Sequence, residues 1–313
     1  MTSTELKKTV NSVIADEYFG IEMFAVLNVD GHFKIKKFQI NDSLNKDVKE
    51  KINNVLKSDV LCDDFNLTPI QNIGEKLRTF YEIIQDHNYA PFNFLNIDLV
   101  EIETYKEKEQ KQLKGFCIKI NRNNDYFWVY QHKYPTTLIN RDNSIFAILN
   151  GSVYEPLNRD VIKLESKIDI IILEKSLISK NLNLLQSVFG FEDYIRGSAA
   201  KTIETIKSID IVSDISKLID VSSKPKLTTA KKLMKAASSP VLKIQKNILI
   251  TKIKEHSYFK EHIKIDTNSN KIVLSSQESV KEFLKMLNDE ILYSQLTELS
   301  YESSAKEEIK NAK

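Results

Sequence analysis

Nine lysines stand in one run of the chain, from Val221 to Lys254, that contains no Asp or Glu. The lysine ammonium group is a compact point charge with three hydrogen-bond donors, which suits it to phosphate oxygens. Solvated helices ordinarily mix Glu with Lys, because pairs four residues apart stabilise them. We therefore expect the run to attract a polyanion. Its lysines are Lys224, Lys226, Lys231, Lys232, Lys235, Lys243, Lys246, Lys252 and Lys254.

The positive charge of the protein is concentrated in this run. The whole chain carries +2, whereas the run carries +9 and the other 279 residues carry −7. The run contains no arginine, the residue on which base reading usually depends, so contact with DNA would be mostly to phosphates and largely independent of sequence. The predicted DNA-binding residues are Lys224, Lys226, Lys231, Lys232, Lys235, Lys243 and Lys246.

A second interpretation of the same lysines is a solvated surface. The chain has forty lysines and only five arginines, so lysine is its usual surface cation. Some of the nine would then have no ligand. The absence of acids across 34 residues favours the binding interpretation, but the sequence leaves both open.

Two consecutive helices are predicted to carry the lysines. In KPKLTTAKKLMKAASS, an apolar side is formed by Leu227, Ala230, Leu233, Met234 and Ala237. The lysines at 231, 232 and 235 fall on the opposite side, and serines and threonines that can donate to phosphate flank the helix. After Pro240, a further helix presents the lysines at 243, 246 and 254, so the two helices could form one extended basic surface.

Catalytic motifs of the common kinds are excluded by spacing. The closest two of the seven glycines are seven residues apart, which rules out a dinucleotide-binding loop, a Walker A loop and a nucleophile elbow. None of the five histidines pairs at i,i+4 or stands beside a cysteine, so we expect no metal and no cofactor. We expect the protein not to be an enzyme.

The nearest approach to a metal-dependent nuclease core is Asp169 followed by Glu174 and Lys175. Such a core needs an acid, then an acid and a lysine separated by one residue, so that carboxylates bind Mg²⁺ and lysine stabilises the phosphate transition state. Here the spacer is missing, and adjacent residues of a strand point to opposite faces. We therefore expect these three side chains not to meet at one metal site.

The chain is predicted to have an α+β fold, with a β-rich N-terminal half packed on a mostly helical C-terminal half that contains one hairpin. The predicted domains are 1–185 and 186–313, with the hairpin at 262–275. Two cysteines, Cys62 and Cys117, are too few for a disulfide framework and favour a reducing cytosol. No apolar run is long enough to span a membrane, so membrane attachment would require a partner.

Individual elements are predicted from turns and periodicity. Asp30-Gly31 between two apolar runs predicts a hairpin, with a bulge at Lys36-Lys37. Helices are predicted at 45–58, at 70–87 and from Ser279 through 297, the last with a capping box of Ser279 and Glu282.

Four segments of the C-terminal half resemble, in order, characteristic blocks of the KwaB family. The likeness covers about residues 145–310 and is strongest in Leu287-Asn288-Asp289, followed by Ser294, Leu296, Thr297 and Tyr301. The segments are FGFEDYI (189–195), KKLMKAASSPVL (231–242), IKIDTNSNKIVL (263–274) and FLKMLNDEILYSQLTELSYESSAK (283–306).

The resemblance implies a function in the Kiwa anti-phage defence system of bacteria. KwaB-like proteins are taken to bind DNA, to block phage replication and late transcription, and to form dimers. The implied partner is a KwaA-like membrane protein, which would recruit this cytoplasmic protein to the inner face of the membrane. The resemblance assigns no residue to DNA, so the lysine site rests on charge alone.

Three functions therefore remain as alternatives. The first is a DNA-binding defence effector without catalysis. The second is a metal-dependent nuclease with dispersed ligands. The third is an adaptor whose lysines face an anionic membrane or an acidic partner. A dimer would use an apolar surface, for which Phe189, Phe191 and Tyr194 are candidates, although aromatic residues of this kind are more often core.

Overall fold

A computed structural model gives the structure of most of the chain. The residues it describes are 1–16, 18–70, 79–86, 89–134, 138–139, 147–150, 153–156, 161–294, 296–297 and 299–303.

The chain divides into two compact units. Unit 1 comprises Met1–Leu67 and Glu82–Asn181, and unit 2 comprises Thr68–Tyr81 and Leu182–Lys313. A large sheet occupies the N-terminal half and several helices occupy the C-terminal half, which confirms the α+β fold class. The domain boundary at 185/186 stays a prediction.

The N-terminal half is built on an eight-stranded sheet with the strand order β2-β1-β5-β6-β11-β12-β4-β3. Two further pairs, β7 with β10 and β8 with β9, form separate small sheets. The elements are α1 (Ser3–Ile14), β1 (Gly20–Val29), β2 (His32–Lys37), α2 (Asp42–Asp59), β3 (Asn66–Pro69), β4 (Thr79–Ile84), β5 (Leu113–Arg122), β6 (Asp125–His132), β7 (Leu138–Ile139), β8 (Ala147–Asn150), β9 (Val153–Pro156), β10 (Val161–Ile162), β11 (Ile170–Ile172) and β12 (Ser176–Ser179).

The Asp30-Gly31 turn between β1 and β2 is confirmed, and both residues have positive φ angles, 52° and 86°. The prediction of a bulge at Lys36-Lys37 is wrong, because both lysines pair with β1 in regular register. Lys36 interrupts the apolar pattern of β2 for another reason. Its side chain is only 11% exposed, and its Nζ lies 2.6 Å from carboxylate oxygens of both Glu103 and Glu109, which balance its charge.

The helix at 45–58 is confirmed as part of α2, whereas the helix at 70–87 is wrong where the structure describes it. Residues 79–84 form β4, which lies between β12 and β3. Four successive β4 residues, at 80–83, are buried, so the strand lacks the alternation that would distinguish it from a helix. Residues 71–78 and 87 of that prediction lie outside the described residues.

Unit 2 is mostly helical and contains two short hairpins, β13 with β14 and β15 with β16. The first of these confirms the hairpin predicted within 262–275. The elements are α3 (Leu182–Val188), α4 (Phe191–Ile209), α5 (Ser216–Ser222), α6 (Thr228–Ala236), α7 (Lys246–Glu255), α8 (Phe259–His262), β13 (Ile265–Asp266), β14 (Lys271–Ile272), α9 (Gln277–Leu287), β15 (Ile291–Tyr293) and β16 (Ser300–Glu302).

The last predicted helix is shorter than expected. The capping box pairs Ser276 with Ser279, and the helix ends at Leu287. Asp289 has a positive φ of 50°, which reverses the chain into β15. The apolar periodicity of the sequence continues past this turn, so the periodicity alone could not show where the helix ends.

Two of the three aromatic residues suggested for a dimer surface lie in the interior. Phe189 and Phe191 are buried, whereas Tyr194 is half-buried and its ring stacks on Phe191 with centroids 5.3 Å apart. The β15–β16 hairpin instead exposes several large apolar side chains. They are Leu292, Tyr293, Leu296, Leu299 and Tyr301.

The sheet core of unit 1 depends on a glycine at Gly115. A Cβ there would meet the backbone carbonyl of Gln131 and would lie 2.6 Å from the hydroxyl oxygen of Tyr130, which is fully buried. We expect Gly115→Ala to lower the free energy of unfolding by about 1–3 kcal/mol, because the backbone must shift to relieve the overlap. Thermal and urea unfolding followed by circular dichroism measures this change.

Gly197, which lies within α4, provides the matched control. Apart from its chain neighbours and the backbone of α4 itself, no heavy atom lies within 4 Å of a Cβ at this position, so we expect Gly197→Ala to stabilise the protein by about 0.5–1 kcal/mol. Equal effects of the two substitutions would contradict the packing described at Gly115.

Candidate nucleic-acid interface

The acid-free run from Val221 to Lys254, here called the basic segment, begins at the end of α5, contains α6 and a 3₁₀ turn at Pro240–Lys243, and ends one residue before the end of α7. The predicted amphipathic helix is present as α6, where Ala230, Leu233 and Met234 are buried. Ala237, which was predicted on the apolar side, is exposed, and Ala236 is buried instead. In α7, the buried residues are Leu249, Ile250 and Ile253.

The loop that begins the basic segment is fixed by Arg196 of α4. Its guanidinium donates to the backbone carbonyls of Ser222, Lys224 and Pro225 at 3.2–3.4 Å. A carboxylate of Glu192 accepts two further bonds, at 2.8 and 3.0 Å, and orients the guanidinium. Arg196 thus satisfies carbonyls at the end of α5 and positions the loop that carries Lys224 and Lys226.

One predicted DNA contact, Lys232, instead has a structural role. Its Nζ lies 2.7 Å from a carboxylate oxygen of Glu290, whose side chain is 2% exposed. A buried carboxylate without a cation is costly, so Lys232 is needed within the fold. The contact of Lys232 with DNA stays a prediction, and its charge is already paired within the fold.

Hydrogen bonds from side chains to backbone carbonyls also connect the end of α9 to the same helix. The side-chain amide of Asn288 donates to the backbone carbonyl of Lys232 at 3.1 Å. The hydroxyl of Ser239, just after α6, donates to the carbonyl of Leu287. The segment Leu287–Glu290 therefore connects α6 to α9, and the family-like residues at 287 and 288 act through hydrogen bonds to the basic segment.

A second predicted contact, Lys246, is also paired. Its Nζ lies 3.1 Å from Asp210, and Lys271 lies 2.5 Å from the other oxygen of the same carboxylate. Hydrogen bonds from Lys271 and then Lys246 lower the pKa of Asp210. The side chain of Asp210 is 57% exposed and that of Lys246 is 26% exposed, so Lys246 remains partly accessible at reduced net charge. Lys254 donates to the side chain of Asn270 at 3.2 Å.

The remaining lysines are the strongest candidates for an anion. Lys226 and Lys243 are exposed and Lys231 is half-buried, and none of the three forms an ion pair within the described residues. Lys224 and Lys252 likewise have no ion pair there, whereas Lys235 interacts with other groups. The local sequence could not separate these roles, because Glu290 and Asp210 lie 58 and 36 residues from their lysines.

The nuclease-like group does not converge. Asp169 precedes β11, whereas Glu174 and Lys175 lie in the turn at the opposite end of that strand. The carboxylate of Asp169 accepts hydrogen bonds from the backbone N–H of His132 at 2.8 Å and the hydroxyl of Tyr134 at 3.3 Å. Within the described ranges, His, Cys, Asp and Glu form no group of three that could ligate a metal ion.

Comparison with known proteins identifies the class of this α+β protein. The family model described as Kiwa protein KwaB-like matches residues 110–297. This match covers more than half of the chain, so the chain belongs to the KwaB-like family and is a component of the Kiwa anti-phage defence system. The resemblance noted in the sequence is thereby confirmed.

One curated relative is Kiwa protein KwaB of Escherichia coli O55:H7 (strain RM12579 / EPEC). It is 22% identical over 319 aligned residues, which cover 99% of each chain. No solved structure matches. Among the described helices, none has the length and apolar composition needed to cross a bilayer.

The buried ion pair gives a direct prediction for stability. We expect Lys232→Ala to lower the free energy of unfolding by about 3–5 kcal/mol, because it leaves the Glu290 carboxylate buried without its cation. The double variant Lys232→Met/Glu290→Leu should recover most of this loss, since it removes both charges together. Urea unfolding followed by circular dichroism measures both.

Lys246→Ala is the matched control for that substitution. Its partner Asp210 is 57% exposed and retains Lys271, so we expect a much smaller change in stability. If Lys232→Ala and Lys246→Ala were equally mild, the structural role assigned to Lys232 would be wrong.

Proposed function

We propose that the protein is a DNA-binding effector of Kiwa defence that binds duplex DNA mainly through phosphate contacts from the basic segment. The observation that carries the proposal is the set of lysines without ion pairs, above all Lys226, Lys231 and Lys243. Their charge is not neutralised within the described residues, and it stands out against the −7 of the rest of the chain.

The chemistry of these side chains favours contact with the phosphates of DNA over recognition of its bases. Lysine offers a point charge, whereas bidentate recognition of guanine depends chiefly on arginine. Arg196, which lies beside the basic segment, already donates to backbone carbonyls and to Glu192. We therefore expect affinity with little sequence preference and strong dependence on salt.

The wider proposal includes partners and location. Family membership supports a KwaA-like membrane protein as a partner of this chain, a homodimer as its assembled form, and a cytoplasmic location with recruitment to the membrane. We also propose that the effector acts without catalysis, by occupying DNA and so blocking phage replication and transcription.

The central experiment measures binding to a labelled linear duplex across a series of NaCl concentrations. The variant Lys226→Gln/Lys231→Gln/Lys243→Gln removes three unpaired charges without disturbing Glu290. Each phosphate contact contributes about 0.9 to the slope of log K against log salt, so the slope should flatten by about 2 to 3. Affinity at low salt should fall in parallel.

A control variant removes the same charge from other surfaces. Lys34, Lys46 and Lys175 are exposed and form no ion pair within the described residues, so Lys34→Gln/Lys46→Gln/Lys175→Gln should bind DNA as wild type does. An unchanged slope in the first variant would refute the assigned interface. Wild type that binds anionic vesicles but no DNA would refute the DNA function in favour of an adaptor. Mg²⁺-dependent cleavage of the duplex, abolished by EDTA, would refute the absence of catalysis.

A further inference from the structure

The hairpin of β15 and β16, with the turn that joins them, exposes a group of large apolar side chains. Leu292 and Tyr301 are 42% and 48% exposed, and Leu299 is 57% exposed. Leu296 is 97% exposed, so it makes almost no contact with the described part of the chain. Single apolar residues are ordinary on a protein surface, but several within one short hairpin indicate an interaction surface.

Strand pairing defines an inner and an outer face of this hairpin. Ile291 pairs with Glu302, and the next pair is Leu292 with Tyr301. Ile291 is buried, and the carboxylate of Glu302 lies 2.9 Å from the Nζ of Lys285, a buried residue of α9. This first pair is therefore directed to α9. Because adjacent residues of a strand point to opposite faces, the second pair lies on the outer face.

The hairpin is held in a defined position against α9. The Nζ of Lys285 also lies 2.9 Å from a carboxylate oxygen of Glu282, and both of these side chains are only 5% exposed. The turn is closed by a hydrogen bond from the backbone N–H of Ser294 to the carbonyl of Leu299 at 3.0 Å. A partner therefore meets a preformed surface, which lowers the entropic cost of association.

The charge of the hairpin indicates which partner fits it. Among the described residues from Ile291 to Glu302, Glu302 is the only charged one, and its carboxylate is paired with Lys285. DNA would require cations on this surface. The cytoplasmic loops of membrane proteins carry an excess of Lys and Arg, so they would favour an acidic surface. A two-fold axis instead places the same surface of two copies in contact, which an uncharged outer face permits without repulsion.

We propose that this surface, formed by Leu292 and Tyr301 of the outer face and by Leu296 and Leu299 of the turn, is the contact between two copies of the chain. Each hairpin would pack its outer face on that of the other copy about a two-fold axis. The four side chains expose several hundred Å², a large part of the about 800 Å² that each partner buries in an ordinary interface. The inference rests on the homodimer of the proposed function and adds the surface that forms it.

Sedimentation velocity of the full-length protein over a series of concentrations measures the dissociation constant of the dimer. We expect Leu292→Ser/Leu296→Ser to raise this constant at least about a hundredfold, because the two-fold axis removes each leucine from both sides of the interface. Both side chains are exposed in each copy, so the variant should retain the circular dichroism spectrum of wild type. Leu296→Asp, at the most exposed position, should also weaken the dimer, since it brings like charges together.

The matched control is Ile97→Ser/Val100→Ser in unit 1. These side chains are 49% and 90% exposed, so the variant removes a similar apolar surface elsewhere and should dimerise as wild type does. Unchanged dimer affinity in the two hairpin variants would overturn the surface and leave the proposed homodimer intact. Equal weakening in the control would show nonspecific apolar association and overturn the surface as well. Wild type that stays monomeric at every concentration would refute both the surface and the homodimer.

Discussion

The ion pair between Lys232 and the buried carboxylate of Glu290 is the constraint on which the basic surface depends. It connects α6 to the chain just after α9, and hydrogen bonds at Leu287 and Asn288 reinforce the same connection. Because one side chain of the lysine-rich helix is directed to this carboxylate, the helix is fixed in rotation about its own axis. The remaining lysines of α6 and its preceding loop then have defined positions, which Arg196 secures from the other end.

The lysines of the basic segment therefore divide into two groups with different roles. Lys232 and Lys246 balance carboxylates of the fold, whereas Lys226, Lys231 and Lys243 have no such partner within the described residues. Lysines that are close together in the sequence therefore do not contribute equally to the positive charge of the surface.

Much of the local structure follows from the sequence, and the exceptions have physical causes. Apolar spacing predicts α6, and Asp30-Gly31 predicts its turn, because both signals are contained within a few residues. The strand at 79–84 was missed because it is buried on both faces and has no alternation. The structural role of Lys232 could not be predicted, since its partner lies 58 residues away and only the folded chain brings them together. The family could be recognised from short segments, whereas the division of the lysines required coordinates.

Lysine footprinting tests most directly whether the basic segment is the surface that binds DNA. The protein would be acetylated briefly with and without a saturating DNA duplex, and the modification of each lysine would be quantified by mass spectrometry. If the basic segment binds DNA, the duplex protects Lys226, Lys231 and Lys243, while Lys34, Lys46 and Lys175 react equally in both samples. Protection of the second group without the first would refute binding by the basic segment and place the DNA on unit 1.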